Sequence, residues 1–204
     1  MIPFCDKRQA MAPLPDIKAR ILESAQAIVE LQGYGGLSYD LIADLFGIGT
    51  SSVQSHFPRK AELCAQVAAR YRDLFRASLQ QMQRDCADSM EILERYAALF
   101  RKALVEQNRM SLCGLGGAEA GKLPREVIEQ VGGFFDCNRN WLAGVLQRGR
   151  DRGELRLEAE PAAEAGLLLA ALEGAMVVAR STGVYESFDD SVATLLSRYR
   201  PKAT

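Results

Sequence analysis

A run of small polar side chains stands out in this sequence: Thr50, Ser51, Ser52, Gln54, Ser55 and His56, followed by Lys60. None is a nucleophile with a base built beside it, and the chain's single histidine, His56, lies among them. Their chemistry is hydrogen bonding. A Gln amide pairs bidentately with adenine, Ser and Thr hydroxyls reach several base edges, and Lys neutralises phosphate. One histidine excludes a multi-histidine metal site. The five cysteines (Cys5, Cys64, Cys86, Cys113, Cys137) form no CxxC pair, so neither a zinc site nor a disulfide framework is expected. With no carboxylate pair or metal cluster either, the chain reads as a non-enzyme that needs no cofactor and no metal.

Such side chains read DNA only when a short helix holds them rigidly against a groove. The stretch SYDLIADLFGIGTSSVQSHFPRKAEL, residues 38–63, has the layout of a helix-turn-helix. Ser38 can cap a helix that reaches Phe46, and Gly47 ends it. A second, short helix covers residues 50–56 and stops at Phe57-Pro58, because a residue before proline avoids the α region. Ile42, Ala43 and Leu45 are expected to pack the first helix inward. Val53 and Phe57 anchor the second from below, so the polar residues face outward. On pattern alone, a solvated surface helix between two core helices fits equally well.

The formal net charge of −1 does not advertise nucleic acid. Residues 1–60 hold six Lys or Arg (Lys7, Arg8, Lys18, Arg20, Arg59, Lys60) against six Asp or Glu, so any basic surface must be local. Apolar residues recur at helical spacing almost throughout and no alternating strand is found, which gives an all-α fold. Residues 1–15, with three prolines, read as a flexible arm, residues 16–60 as the helix-turn-helix domain, and residues 61–204 as a second helical domain. There is no signal pattern, and the longest apolar run, residues 165–179, contains Glu173 and is too short to span a bilayer. A reduced, cytoplasmic protein without a membrane partner is expected.

The run ILESAQAIVELQGYGGLSYDLIADLFGIGTSSVQSHFPRKAEL resembles the DNA-binding domain of the TetR/AcrR family of regulators. The matching residues are Ile21-Leu22, Ala25, Gly33-Tyr34, Ile42-Ala43, Gly47-Ile48, His56-Phe57, Lys60 and Leu63. The resemblance implies an N-terminal three-helix DNA-binding domain followed by a ligand-binding and dimerisation domain. It also implies a homodimer on a palindromic double-stranded operator, released by a small organic effector. By position, His56 and Lys60 would contact phosphates, with Ser38 and Tyr39 as further phosphate candidates. Gln54 stands where the family usually has Tyr, and Thr50 where Lys is frequent. Fewer cations mean a shallower salt dependence.

In the second domain, Tyr71, Phe75, Tyr96, Phe100, Cys113, Phe134, Asn138 and Trp141 offer the apolar walls and sparse polar groups of a ligand pocket, with Arg101 or Glu119 to supply charge. Aromatic stripes at helical spacing also build ordinary cores. Cys113 lies in a Leu-Cys-Gly segment similar to one in a subset of these sensors, which makes it a candidate ligand-proximal or reactive thiol; the alternative is a packed hydrophobe. The run EAGLLLAALEGAMVVAR is apolar almost all round, and Leu168, Leu172, Ala175, Met176 and Ala179 are expected to meet a partner's Leu195, Leu196 and Tyr199. The competing function is a helical small-molecule-binding dimer with weak or lost DNA binding.

Overall fold

The computed structural model describes residues 17–106 and 109–201, so the expected arm at residues 1–15 lies outside the described residues. Among the described residues the fold is all-α. In chain order, α1 (Ile17–Gly36), α2 (Tyr39–Phe46) and α3 (Thr50–His56) form the front, and α4 (Lys60–Asp85) leads into the rear. There follow α5 (Ser89–Arg101), α6 (Leu112–Ala118), α7 (Arg125–Asp151), α8 (Pro161–Thr182) and α9 (Glu186–Ser197). A π-helical turn, Lys102–Glu106, extends α5.

The helix ends follow from local backbone chemistry. Ser38 accepts the Leu41 N–H at 3.1 Å, and Gly47 closes α2 in the left-handed region, φ 62°. Pro161 starts α8 and Gly183, φ 72°, ends it. Gly33 breaks α1 in the left-handed region, φ 71°, and one further helical turn continues to Gly36. That break leaves the Tyr34 N–H without its helical acceptor, and Glu119 Oε2 takes it at 2.9 Å. A Cβ on residue 33 would sit 2.8 Å from Glu119 Oε1 and push on that carboxylate, but it is the left-handed backbone that selects glycine here.

Two cores meet along α4. Its first half buries Leu63, Cys64, Val67 and Ala68 with Ile21, Ala25, Ile42, Val53 and Phe57. Leu112 and Cys113 of α6 and Val127, Val131 and Phe134 of α7 complete that same cluster. The front domain therefore rests on helices that the chain supplies much later. The rear core gathers Leu79 and Met82 of α4 around Tyr96, Leu142, Leu146, Leu168, Leu172 and Phe188.

One expectation about α8 changes. The helix runs 22 residues, longer than the apolar run within it, and by length and composition alone it passes for a membrane span, as the core helix of a soluble protein also does. Its Leu168, Leu172, Met176 and Ala179, with Leu196 of α9 and Tyr199 just beyond it, are buried within the chain rather than offered to a partner. Leu167, Val177 and Val178 are the exposed apolar residues of α8. A helix apolar all round gives no angular signal to tell these faces apart.

Gly33→Ala should lower unfolding free energy in urea by about 1–2 kcal/mol, the penalty of a Cβ in the left-handed region. Gly35→Ala, in the same turn with open space around its Cα, should be neutral or slightly stabilising. Equal losses for the two substitutions would contradict the role given to the Gly33 break.

Candidate functional site

The candidate DNA-facing surface is built from α2 and α3. Val53 and Phe57 are fully buried and pin α3 from beneath. From α2, the Tyr39 hydroxyl donates to the Phe57 carbonyl at 2.6 Å, which fixes the C-terminal end of α3. At the other end Thr50 Oγ1 donates to Asp40 Oδ1 at 2.9 Å. Three contacts of different kinds thus hold seven residues. Leu45 is 60% exposed, so the inward packing expected of it does not occur. It points to solvent, while Ile42 and Ala43 carry the buried side of α2.

Ser51, Ser52, Gln54 and Ser55 are exposed on one helix, and Ser55 Oγ donates to the Ser52 carbonyl at 2.7 Å. Gln54 makes no hydrogen bond among the described residues, which leaves its amide available for a base edge. His56 is half-buried at the last turn. Lys60 begins α4 with its ammonium 4.3 Å from the centre of the Tyr34 ring. That cation–π contact restrains the lysine beside α3. Ser38 and Thr50 are occupied as a cap and as a bridge, so their hydroxyls support the surface as well as lying on it.

Two cations of the front part have partners within the chain. Arg59 is paired with Glu126 of α7 at 3.0 Å, and the Arg20 guanidinium lies over the Phe46 ring at 4.7 Å. Asp40 and Asp44 are exposed on α2. Lys7 and Arg8 fall outside the described residues.

The eight residues read as pocket walls come together, but as a packed cluster. Phe75 meets Phe134 at 5.2 Å and Phe100 at 6.2 Å; Tyr96 meets Phe100 at 5.2 Å and Trp141 at 5.6 Å; Tyr71 meets Phe134 at 5.4 Å. Asn138 threads it, accepting from the Tyr96 hydroxyl at 3.0 Å and donating to the Phe134 carbonyl at 2.9 Å. Its polarity is satisfied internally. Arg101 and Glu119 do not charge this region. Arg101 pairs with Asp189 at 2.7 Å, and Glu119 holds the Tyr34 N–H.

Cys113 is fully buried, and burial together with the nearby Glu173 charge pushes its thiol above the ordinary range. A thiol held protonated is a poor nucleophile, so the structure favours packing over reactivity. Cys64 is likewise buried, its thiol pushed up to about 12 by desolvation.

Open space lies beside the aromatic cluster. A cleft of ≈340 Å³ between α6, α7 and α8 is lined by Gly114, Phe135, Leu169, Ala170 and Glu173, with Asp136 and Arg139. Sequence reading noted Glu173 only as an interruption of an apolar run. A carboxylate in such a run was itself the signal for this site.

No family model matches the chain. Over 77 residues it is 30% identical to an HTH-type transcriptional regulator of Staphylococcus aureus, an alignment covering 38% of this chain and 42% of that protein. The chain thus spans less than half the length of the curated relatives it matches. Over the whole fold it is similar to a TetR-family transcriptional regulator from Agrobacterium tumefaciens, with 28% identity, a TM-score of 0.87, and coverage of 90% of this chain and 97% of that one. A TetR regulator from Legionella pneumophila shares the fold at 24% identity and a TM-score of 0.84, covering 93% of this chain and 100% of its own.

Among the described cysteines, Cys137 is the one that is not buried. A mild alkylating reagent should label it fastest, leaving Cys64, Cys86 and Cys113 protected until the chain unfolds, as mass spectrometry of peptides would report. Rapid native labelling of Cys113 would restore it as a reactive thiol.

Proposed function

We infer that this chain, a member of the TetR family of helix-turn-helix transcriptional regulators, binds a palindromic operator as a cytoplasmic homodimer and is released from it by a small organic molecule. The observation that carries the reading is α3: a short helix pinned from below, with Ser51, Ser52, Gln54 and Ser55 exposed and Lys60 restrained at its side. One such helix reads few bases, so a second copy is needed for affinity and gives the operator its two-fold symmetry. The exposed apolar stripe of α8, Leu167, Val177 and Val178, is the surface proposed to meet the partner.

The coupling proposed between effector and DNA runs through α6 as well as α4. Gly114 of α6 lines the cleft beside Glu173. Five residues on, Glu119 holds Tyr34, on whose ring Lys60 rests. A ligand that displaces α6 would disturb the cap on α1 and the lysine beside α3. Effector and operator then oppose each other by an equal factor, of about 1–3 kcal/mol.

A second reading has a specific observation in its favour. Arg59 and Arg20 are engaged inside the chain and Asp40 and Asp44 are exposed, the pattern of a sensor dimer whose DNA affinity has weakened.

Fluorescence anisotropy with duplexes from the DNA flanking its own gene separates the two. Lys60→Ala should weaken binding to every duplex and flatten the salt dependence by about one phosphate's worth, a slope change of roughly 0.9. Gln54→Ala should instead change base preference, by about 1–3 kcal/mol at the positions it reads. A Lys60→Ala protein with the parent's affinity at every salt concentration would remove the phosphate role. Absence of any duplex preference in the parent would favour the weakened sensor.

Val177→Glu places a charge on the stripe assigned to the partner. Sedimentation should show a folded monomer with operator affinity reduced by orders of magnitude. A Val177→Glu protein that remains a dimer would move the interface elsewhere.

A further inference from the structure

Two glutamates on α8 live in opposite circumstances: Glu164 is buried, and Glu173 is half-buried with its carboxylate out of water. Glu164 accepts from the Glu158 N–H at 3.2 Å, the Ala159 N–H at 3.0 Å and the Tyr199 hydroxyl at 3.1 Å. Glu173, further along the same helix, has both carboxylate oxygens out of water and neither in a hydrogen bond. The neighbouring Ser111 hydroxyl is turned to cap the Gly114 N–H at 3.1 Å and gives the carboxylate no well-aligned bond. A buried carboxylate with no partner is strongly disfavoured in its charged form. Burial accordingly pushes the Glu173 carboxyl up to about 7. Glu173 also lines the ≈340 Å³ cleft, whose other walls are mostly apolar.

We propose that this cleft takes an organic cation, an ammonium carried on an apolar body, with Glu173 as its counter-ion. The proposal rests on the effector reading above and gives that effector a chemical class. The groups facing Glu173 leave the role of counter-ion open. Tyr71 of α4, Tyr96 of α5 and Cys113 of α6 all feel its charge, and each is itself pushed to a higher pKa, so all are neutral near pH 7. On α7, Asp136 and Arg139 are paired with each other at 2.9 Å, so their charges largely cancel. Among the described residues no cation pairs with Glu173. An ammonium that enters the cleft, and meets the carboxylate once the Glu173 side chain swings out of burial, supplies the missing charge and up to three donors. Phe135 lines the same cleft and presents an aromatic surface to the cation or its apolar body. A neutral alcohol would satisfy one oxygen and leave the charge bare, and an anion would be repelled.

The sign of the pH dependence follows. Glu173 is ionised above about pH 7 and protonated below it, so affinity for the cation is full above that value and falls as pH drops through it. In the ligand-free fold the raised pKa works the other way: stability is lost as pH rises from the unfolded carboxyl's range through 7. Glu173→Gln should therefore raise the melting temperature at alkaline pH while abolishing the preference for a cation. A residue that only packed would give no such opposition.

The test is calorimetric titration of the full chain with phenethylamine, phenethyl alcohol and 3-phenylpropanoate, three probes of similar body and different charge. Above neutral pH the amine should bind at least about tenfold more tightly than the alcohol, and the carboxylate should bind least. That advantage should collapse on acidification and in Glu173→Gln. Three results would overturn the inference: the alcohol or the carboxylate matching the amine, Glu173→Gln keeping the amine preference, or millimolar amine giving no heat of binding. The proposed regulatory function is scored separately, by DNA affinity with and without amine. Amine binding through Glu173 that leaves DNA affinity unchanged would sustain the site and sink the release mechanism. DNA release by other ligands, with no preference for the amine, would do the reverse.

Discussion

A seven-residue helix cannot hold itself in water, because too few hydrogen bonds follow the costly first turn. Everything that makes α3 a surface with fixed geometry must come from outside it. Val53 and Phe57, both fully buried, provide most of that constraint. Truncating an aromatic residue so placed typically costs about 3–5 kcal/mol, a large part of a domain's whole stability. The Tyr39 hydroxyl on the Phe57 carbonyl adds direction to what the apolar contact supplies in energy.

The core into which those two residues fit does not belong to the front of the chain alone. Leu63 to Ala68 of α4, Leu112 and Cys113 of α6, and Val127 to Phe134 of α7 close it. The proposed reading helix is therefore seated on helices of which α6 and α7 also border the cleft beside Glu173. Close packing transmits displacement rather than absorbing it. Polar ties cross the same boundary: Glu119 on the Tyr34 N–H, Arg109 on the buried Glu30 at 2.9 Å, and Arg70 on Gln26 at 2.8 Å. The two proposed functions share this packing, with no separate linking device required.

The sequence was most legible where the backbone speaks locally. Ser38, Gly47, Pro161 and Gly183 mark helix ends because capping and left-handed φ depend on the residue itself. The helix-turn-helix was legible for the same reason, and its resemblance to known regulators rests on those residues. Contacts between distant segments were not. Glu119 meets Tyr34 across 85 positions, and nothing in either neighbourhood announces it. On α8 the uniform apolar character concealed which side faces inward, and the stripe assigned to a partner fell on the buried face. The aromatic residues of the second domain were correctly grouped, yet spacing cannot distinguish rings that line a space from rings that fill it.

The account's central claim is that α3 reads DNA as one of a symmetric pair. Hydroxyl-radical footprinting of the full chain on DNA flanking its own gene addresses it directly. The account predicts two protected patches related by two-fold symmetry, with centres about one helical turn of DNA apart or a multiple of it. A single protected patch, or no protection at protein concentrations that saturate other family-like duplexes, would contradict it.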